Sequence, residues 1–339
     1  MRIQRTLRLL LFTVLMCAGL VTTASAEEIS GTCGAEGDGS NLTWVLDTET
    51  GVLTISGIGE MEDEWSDEAG VEESLLQQVQ SVVVEEGITR IGDSAFEGCT
   101  ALELAKLPDT LTDIGERSFY GCKNLKTIII PEKVTEITRF AFNGCWRLEE
   151  VTFPDGLREI QDYAFNSCEN LKKISIPDGV WSIGKYAFSG CKNLVTVTIP
   201  DSVKELGVNI FSYCENLKEA TLSSQQREIS ESMFEYCSSL KTVNIPIGVT
   251  VVKMHAFKGC TSLEEIRFPD GFSQINYYAF SGCNNLVTMV FPSSLKWVQQ
   301  DALRDTNLQN IYYDGPQTLW EKITIDKGNE KLTGANIHY

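Results

Sequence analysis

From residue 79 to residue 313 the apolar positions repeat every 23 residues. Each unit opens on leucine, as at Leu125, Leu148 and Leu171. Two apolar columns spaced two residues apart follow, as in Ile128/Ile130, Val151/Phe153 and Ile174/Ile176. A period of two marks a strand with one face in the core. Proline closes that strand in eight units, from Pro108 to Pro292. It lacks a donor and fixes φ, so it ends the pairing and starts a corner. A second short extended piece comes next, such as 134–137 or 180–183. A segment of the form Ala-Phe-x-Gly-Cys then brings the chain back, and is expected to form one helical or 3₁₀ turn.

Two columns in that segment hold one residue type through nine units. Phenylalanine runs from Phe96 to Phe280, and cysteine stands three residues later at Cys99, Cys122, Cys145, Cys168, Cys191, Cys214, Cys237, Cys260 and Cys283. No catalytic site needs nine copies of one residue on such a lattice. A solenoid does, because each coil places its equivalent residue at the same height, and stacking buries columns that no unit buries alone. The expected fold is α/β, a right-handed solenoid with a parallel sheet and short helical or 3₁₀ turns. About ten coils over 79–313 give a length of about 50 Å at ~4.8 Å per coil.

The open ends of a solenoid need covers. Residues 27–78 are expected to supply one, with a hairpin from 41–46 and 52–56 turning at Glu49-Thr50-Gly51, then an acidic loop running into a short helix. Residues 314–339 are expected to supply the other, with a helical turn at 318–323 and a closing strand at 335–339. The unit at 217–239 departs most from the pattern. Ser223 replaces proline, Gln226 replaces valine and Met233 replaces alanine, and its neighbour carries Ile210 at that same alanine position. We read this as drift, with a bulge or a ligand notch as the alternatives.

Residues 1–26 have the form of a secretory signal. Arg2, Arg5 and Arg8 precede an apolar stretch from Leu7 to Val21, and Ala24-Ser25-Ala26 offers a small-residue cleavage site. Export from the cell is therefore expected, without membrane insertion after cleavage. Removing the three arginines leaves 25 basic against 47 acidic residues, a formal charge of −22. Nucleic acid and anionic membranes are poor partners for such a surface. Export ordinarily favours disulfides, yet cysteines stacked in one column have parallel Cβ vectors that do not point at each other. They are expected to be reduced and buried, as small hydrophobes.

Leu-Lys-Thr-Ile-Ile-Ile-Pro at 125–131 and Ile-Gly-Lys-Tyr-Ala-Phe-Ser-Gly-Cys at 183–191 resemble the BspA-like, or treponemal-type, bacterial leucine-rich repeat. The resemblance extends over 79–313. It also takes in the flanks, Ser-Gly-Thr-Cys-Gly at 30–34, Leu-Thr-Trp-Val-Leu-Asp at 42–47 and the ending through Trp320 to Ile337-His338-Tyr339. It implies a curved solenoid exported by a bacterium, with roles in adhesion or host contact, and it implies no enzymatic activity.

Candidate chemistry is sparse. The chain has two histidines, His255 and His338, neither with the spacing of a zinc site or of a nucleophile's base. No catalytic residue, metal or cofactor is expected. Acidic residues follow the prolines, as at Asp109, Glu132, Asp155 and Asp201, where they suit local backbone hydrogen bonds better than a calcium site. The outward strand positions form the natural binding face, and Lys106, Lys173 and Arg267 are its candidate contacts. Trp146, Trp181 and Trp297 replace residues that are usually polar in the repeat and are candidate exposed anchors. The expected function is a binding or adhesion scaffold for a protein ligand. The alternative is a glycan- or peptide-binding module for nutrient capture.

Overall fold

The computed structural model describes residues 28–65 and 73–339, so the signal segment at 1–26 lies outside the described residues. At the N-terminal end, β1 (Glu28–Thr32), β2 (Leu42–Asp47) and β3 (Val52–Gly57) form an antiparallel meander. Period-two burial in β2 turns Leu42, Trp44 and Leu46 inward. β3 then pairs in parallel with Ser81–Val84, setting Leu53 opposite Val82 and Ile55 opposite Val84. The first coil's edge is thereby covered.

From there the chain is a parallel-sheet solenoid of about eleven turns with few helices. The 23-residue spacing sets each residue opposite its equivalent, as Val151 opposite Ile128 and Val197 opposite Ala220. A second, narrower ladder runs along the coils after the corner, where Ile137, Ile160 and Ile183 lie in register. The short helices are α1 (Glu73–Leu76), α2 (Gln317–Trp320) and α3 (Glu330–Thr333). At the C-terminal end Asn310–Asp314 joins the first sheet with Ile311 opposite Met289, a 22-residue step, and Asn336–His338 adds a last parallel strand.

The return segment is built from i→i+3 hydrogen bonds, the spacing of a 3₁₀ turn. Ala141 N–H donates to Thr138 O, Asn143 to Phe140 O, and Cys145 to Phe142 O, at 3.1–3.3 Å. Left-handed residues interrupt it at two positions in every coil. One is the residue before the alanine position, where Ser94, Arg117, Phe140, Tyr163, Tyr186 and their equivalents have φ of 52–59°. The other is the residue before cysteine, held by Gly98, Gly121, Gly144, Gly190, Gly259 and Gly282 at φ of 69–75°. A left-handed conformation costs a non-glycine residue about 1–2 kcal/mol. The return is a third ladder: the N–H groups of Phe140, Phe142 and Gly144 reach Asp162 O, Ala164 O and Asn166 O of the next coil at 2.8–3.1 Å. Alternating handedness turns every second N–H along the solenoid axis, so the return side is hydrogen-bonded from coil to coil as the sheets are.

The core follows the columns. Nine phenylalanine rings from Phe96 to Phe280 stack with centroids 5.1–6.0 Å apart. The widest spacings, 5.9 and 6.0 Å, flank Phe211. There buried Ile210 and Met233 stand where the other coils have alanine or, at Ser118, serine. All ten described cysteines are free and buried, nine of them in a column beside the rings. Each thiol from Cys122 to Cys283 donates to the phenylalanine carbonyl one coil back, as Cys145 Sγ to Phe119 O at 3.3 Å and Cys283 Sγ to Phe257 O at 3.0 Å. The column therefore satisfies carbonyls as well as filling space. Thiol titration of the native protein should find almost no reactive group, and titration after denaturation about ten; native reactivity at several thiols would contradict this packing.

Candidate binding surface

The first sheet presents two outward columns to solvent. Lys106, Ile129, Thr152, Ser175, Thr198, Thr221, Asn244 and Arg267 form one, and Leu104, Thr127, Glu150, Lys173, Thr196 and Glu219 the other. Exposed Leu104 and Ile129 lie toward the N-terminal end of this face, with Ile129 69% exposed. Salt bridges one coil apart, Lys126–Glu103 and Lys172–Glu149, line its edge. Such exposed pairs add little stability.

The ladder of this sheet is not continuous. Pairing stops after Glu150–Thr152, and the next coil keeps only the bridge from Lys173 to Thr196. It stops again between Thr242–Asn244 and Glu265–Arg267. One coil before the second break, between strands that are still paired, Asn244 accepts the Leu222 N–H with its side-chain Oδ1 at 2.7 Å. In other coils the equivalent backbone carbonyl does this, as Thr152 O for Ile130 and Val290 O for Phe268, both at 3.0 Å. A groove opens at each break. The first, about 560 Å³, has Lys173 on its rim and half-buried Phe153 in its floor. The second, about 760 Å³, has Lys241, Asn244, Glu265 and Arg267 above Val243 and Ile245. Lys173 and Arg267 thus each border a groove, whereas Lys106 lies several coils away on open sheet.

The three tryptophans do not come together. Trp146 stands beside the cysteine column, 48% exposed, with Lys123 Nζ 4.7 Å from its ring centre. Trp181 adjoins the second ladder, in the residue before Ser182–Ile183. Trp297 lies in that ladder near the C-terminal end and donates Nε1–H to Asp326 Oδ2 at 3.1 Å. The corner acids meet backbone donors where bonds form: Glu86 accepts from Asp109 and Thr110, and Asp201 from Ser224. Among the described residues no group of three His, Cys, Asp or Glu side chains is placed to hold a metal ion. Among them, too, no helix is long and apolar enough to cross a membrane.

A further surface feature was not among the sequence candidates. In the left-handed glycine column two consecutive coils carry Tyr213 and Tyr236, at φ 60° and 59°. Their rings stack at 5.1 Å and are exposed on the turn side, away from the sheet. The signal was present in the chain as two tyrosines at a position otherwise held mostly by glycine.

The BspA-type leucine-rich repeat model matches in six copies, covering 75–170, 135–264 and 250–323. The chain belongs to this family. The matched residues include every coil of the cysteine and phenylalanine columns. Among solved structures, a leucine-rich repeat protein from Bacteroides ovatus is 20% identical, with 94% of this chain and 99% of that one covered at a TM-score of 0.51. A leucine-rich cell surface protein from Faecalibacterium prausnitzii is 22% identical, covering 88% and 98% at a TM-score of 0.47. The T. pallidum leucine-rich repeat protein is 26% identical, covering 67% and 90% at 0.45. No curated protein matches the chain.

Proposed function

We propose that this BspA-type protein is an exported binding scaffold that presents the outward face of its first sheet to a protein ligand. The observation that carries this reading is the groove between Thr242–Asn244 and Glu265–Arg267. Its floor is apolar, its rim polar and charged, which is the anatomy of a protein-recognition patch. Arg267 sits on that rim with its side chain 70% exposed, and arginine is a frequent anchor of protein interfaces. The basic, apolar and small-residue order of residues 1–26 supports export. A net acidic mature chain favours a basic partner and an association weakened by salt.

Binding of the purified protein to immobilised extracellular-matrix proteins tests this. Saturable binding to one of them is expected, weakened about tenfold or more by Arg267→Ala with the thermal midpoint unchanged, since a truncated hot spot costs roughly 2 kcal/mol. Equal binding by the variant would remove the groove from the reading. No saturable binding across the panel would remove the reading itself.

A further inference from the structure

The departures from the repeat concentrate in two neighbouring coils. Ile210, Tyr213, Met233 and Tyr236 all lie there. So does Gln226, buried and donating to Val203 O at 3.3 Å in place of the usual valine. Of these, the tyrosines run against backbone preference. They replace glycine, which takes φ near +60° at no steric cost, although Phe140, Tyr163 and Tyr186 show that the fold also holds rings at its other left-handed position. Neither ring is core: Tyr213 is 47% exposed and Tyr236 38% exposed.

What surrounds the rings narrows the ligand. After Tyr236 the column returns to glycine at Gly259 and Gly282, so the surface steps down beyond the tyrosine pair into a groove of about 590 Å³. The fit at the step is close, because a Cβ on Gly259 would come within 2.5 Å of the Tyr236 ring. Lys258 Nζ stands 5.1 Å from the centre of that ring and 2.8 Å from Glu235 Oε1. The Lys258 ammonium beside Tyr236 is neutralised by Glu235, and Glu215 also lines the groove, so the ring is flanked by a closed ion pair. Ser238 and Thr261, one coil apart on the same groove, spend their hydroxyl protons on Glu215 O and Ser238 O at 3.2 and 3.1 Å. Their oxygens are left to accept, and Lys258 has further N–H groups to donate. An aromatic step flanked by acceptors and an ammonium matches a neutral sugar, whose ring has an apolar C–H face and a rim of hydroxyls.

We propose that the Tyr213–Tyr236 step is a carbohydrate-binding site, stacking a neutral pyranose on the tyrosine pair and engaging its hydroxyls through Lys258, Ser238 and Thr261. The site is on the turn side and is independent of the sheet-face reading. The test is calorimetric titration of the purified protein with neutral tetrasaccharides of glucose, mannose, galactose and N-acetylglucosamine, with choline and a decaproline peptide as the other probes. At least one tetrasaccharide should bind saturably. Tyr213→Gly with Tyr236→Gly should weaken it at least tenfold while the thermal midpoint stays level or rises, because glycine restores the column's own residue. Arg267→Ala should leave it unchanged. If the double variant does not fold, Lys258→Gln decides, with a loss of threefold or more expected. The proposal is overturned if no tetrasaccharide binds, if only choline or the peptide binds, or if binding survives the substitution that decides.

Discussion

Raising the pH from 8 to about 10.5 is expected to unfold the protein in one steep step, read as loss of the far-ultraviolet circular dichroism signal. The cause is the cysteine column. An exposed thiol loses its proton near pH 9, but burial pushes Cys33, Cys99 and Cys283 up to about 12 and raises the inner members, such as Cys145 and Cys214, well above the ordinary range. Folded thiols therefore keep their protons where unfolded ones have released them. With more protons bound in the folded state, stability is full below pH 9 and falls as pH rises beyond it. Each thiol contributes up to about 1.4 kcal/mol per pH unit in that window. Ten thiols acting together lose on the order of 14 kcal/mol by one unit above pH 9, as large as the stability of a typical domain. Burial raises the Tyr313 hydroxyl in the same direction. Replacing four inner cysteines by alanine should make the alkaline transition shallower even where it lowers stability at pH 7. A protein still folded at pH 11 would mean that the column is solvated, contrary to the packing described above.

The columns that carry the fold were legible because burial restricts residue type. Only a small apolar side chain fits at the cysteine position and only a ring at Phe188, so each repeats without exception through nine coils. The hydrogen bond from each thiol to a phenylalanine carbonyl was not legible, since cysteine would fill the same place as a plain hydrophobe. Nor were the left-handed residues before the alanine position. Ser94, Arg117, Tyr163 and Asn209 share φ of 53–59° but no chemistry, because the conformation is imposed by the ladder that their N–H groups join. The breaks in the first sheet escaped for a related reason. Strand pairing there depends on small displacements between coils, and Ser175 and Asn244 differ little in type from the threonines around them. The binding candidates were chosen by the same logic of departure from a column. That logic selected Trp146, Trp181 and Trp297, which lie in three separate places. It passed over Tyr213 and Tyr236, where the replaced residue was glycine and the conformational meaning was hidden.

Phe188→Ala should be the most damaging single truncation of a side chain at the centre of the array, whereas Phe96→Ala, at its edge, should cost much less. Phe188 is fully buried between Phe165 at 5.5 Å and Phe211 at 5.9 Å, with both neighbouring rings nearly parallel to it. Phe96 has one ring neighbour in the ladder, Phe119 at 5.2 Å and tilted by 34°. Truncating a buried phenylalanine ordinarily costs about 3–5 kcal/mol, from lost transfer energy and the cavity left behind. In a solenoid that cost falls on the coupling between neighbouring coils, and cooperativity depends on every coupling being strong. The interface beyond Phe188 is one of the two loosest in the ladder, with rings 5.9 Å apart and the next pair 6.0 Å apart. Weakening Phe188 should therefore split urea unfolding into two transitions, with the coils before it separating from those after it. Phe96→Ala should instead keep a single transition at a modestly lower urea midpoint. Equal midpoints and a single transition for both variants would show that stability is not transmitted coil to coil, and that the ring ladder is not what joins the two halves.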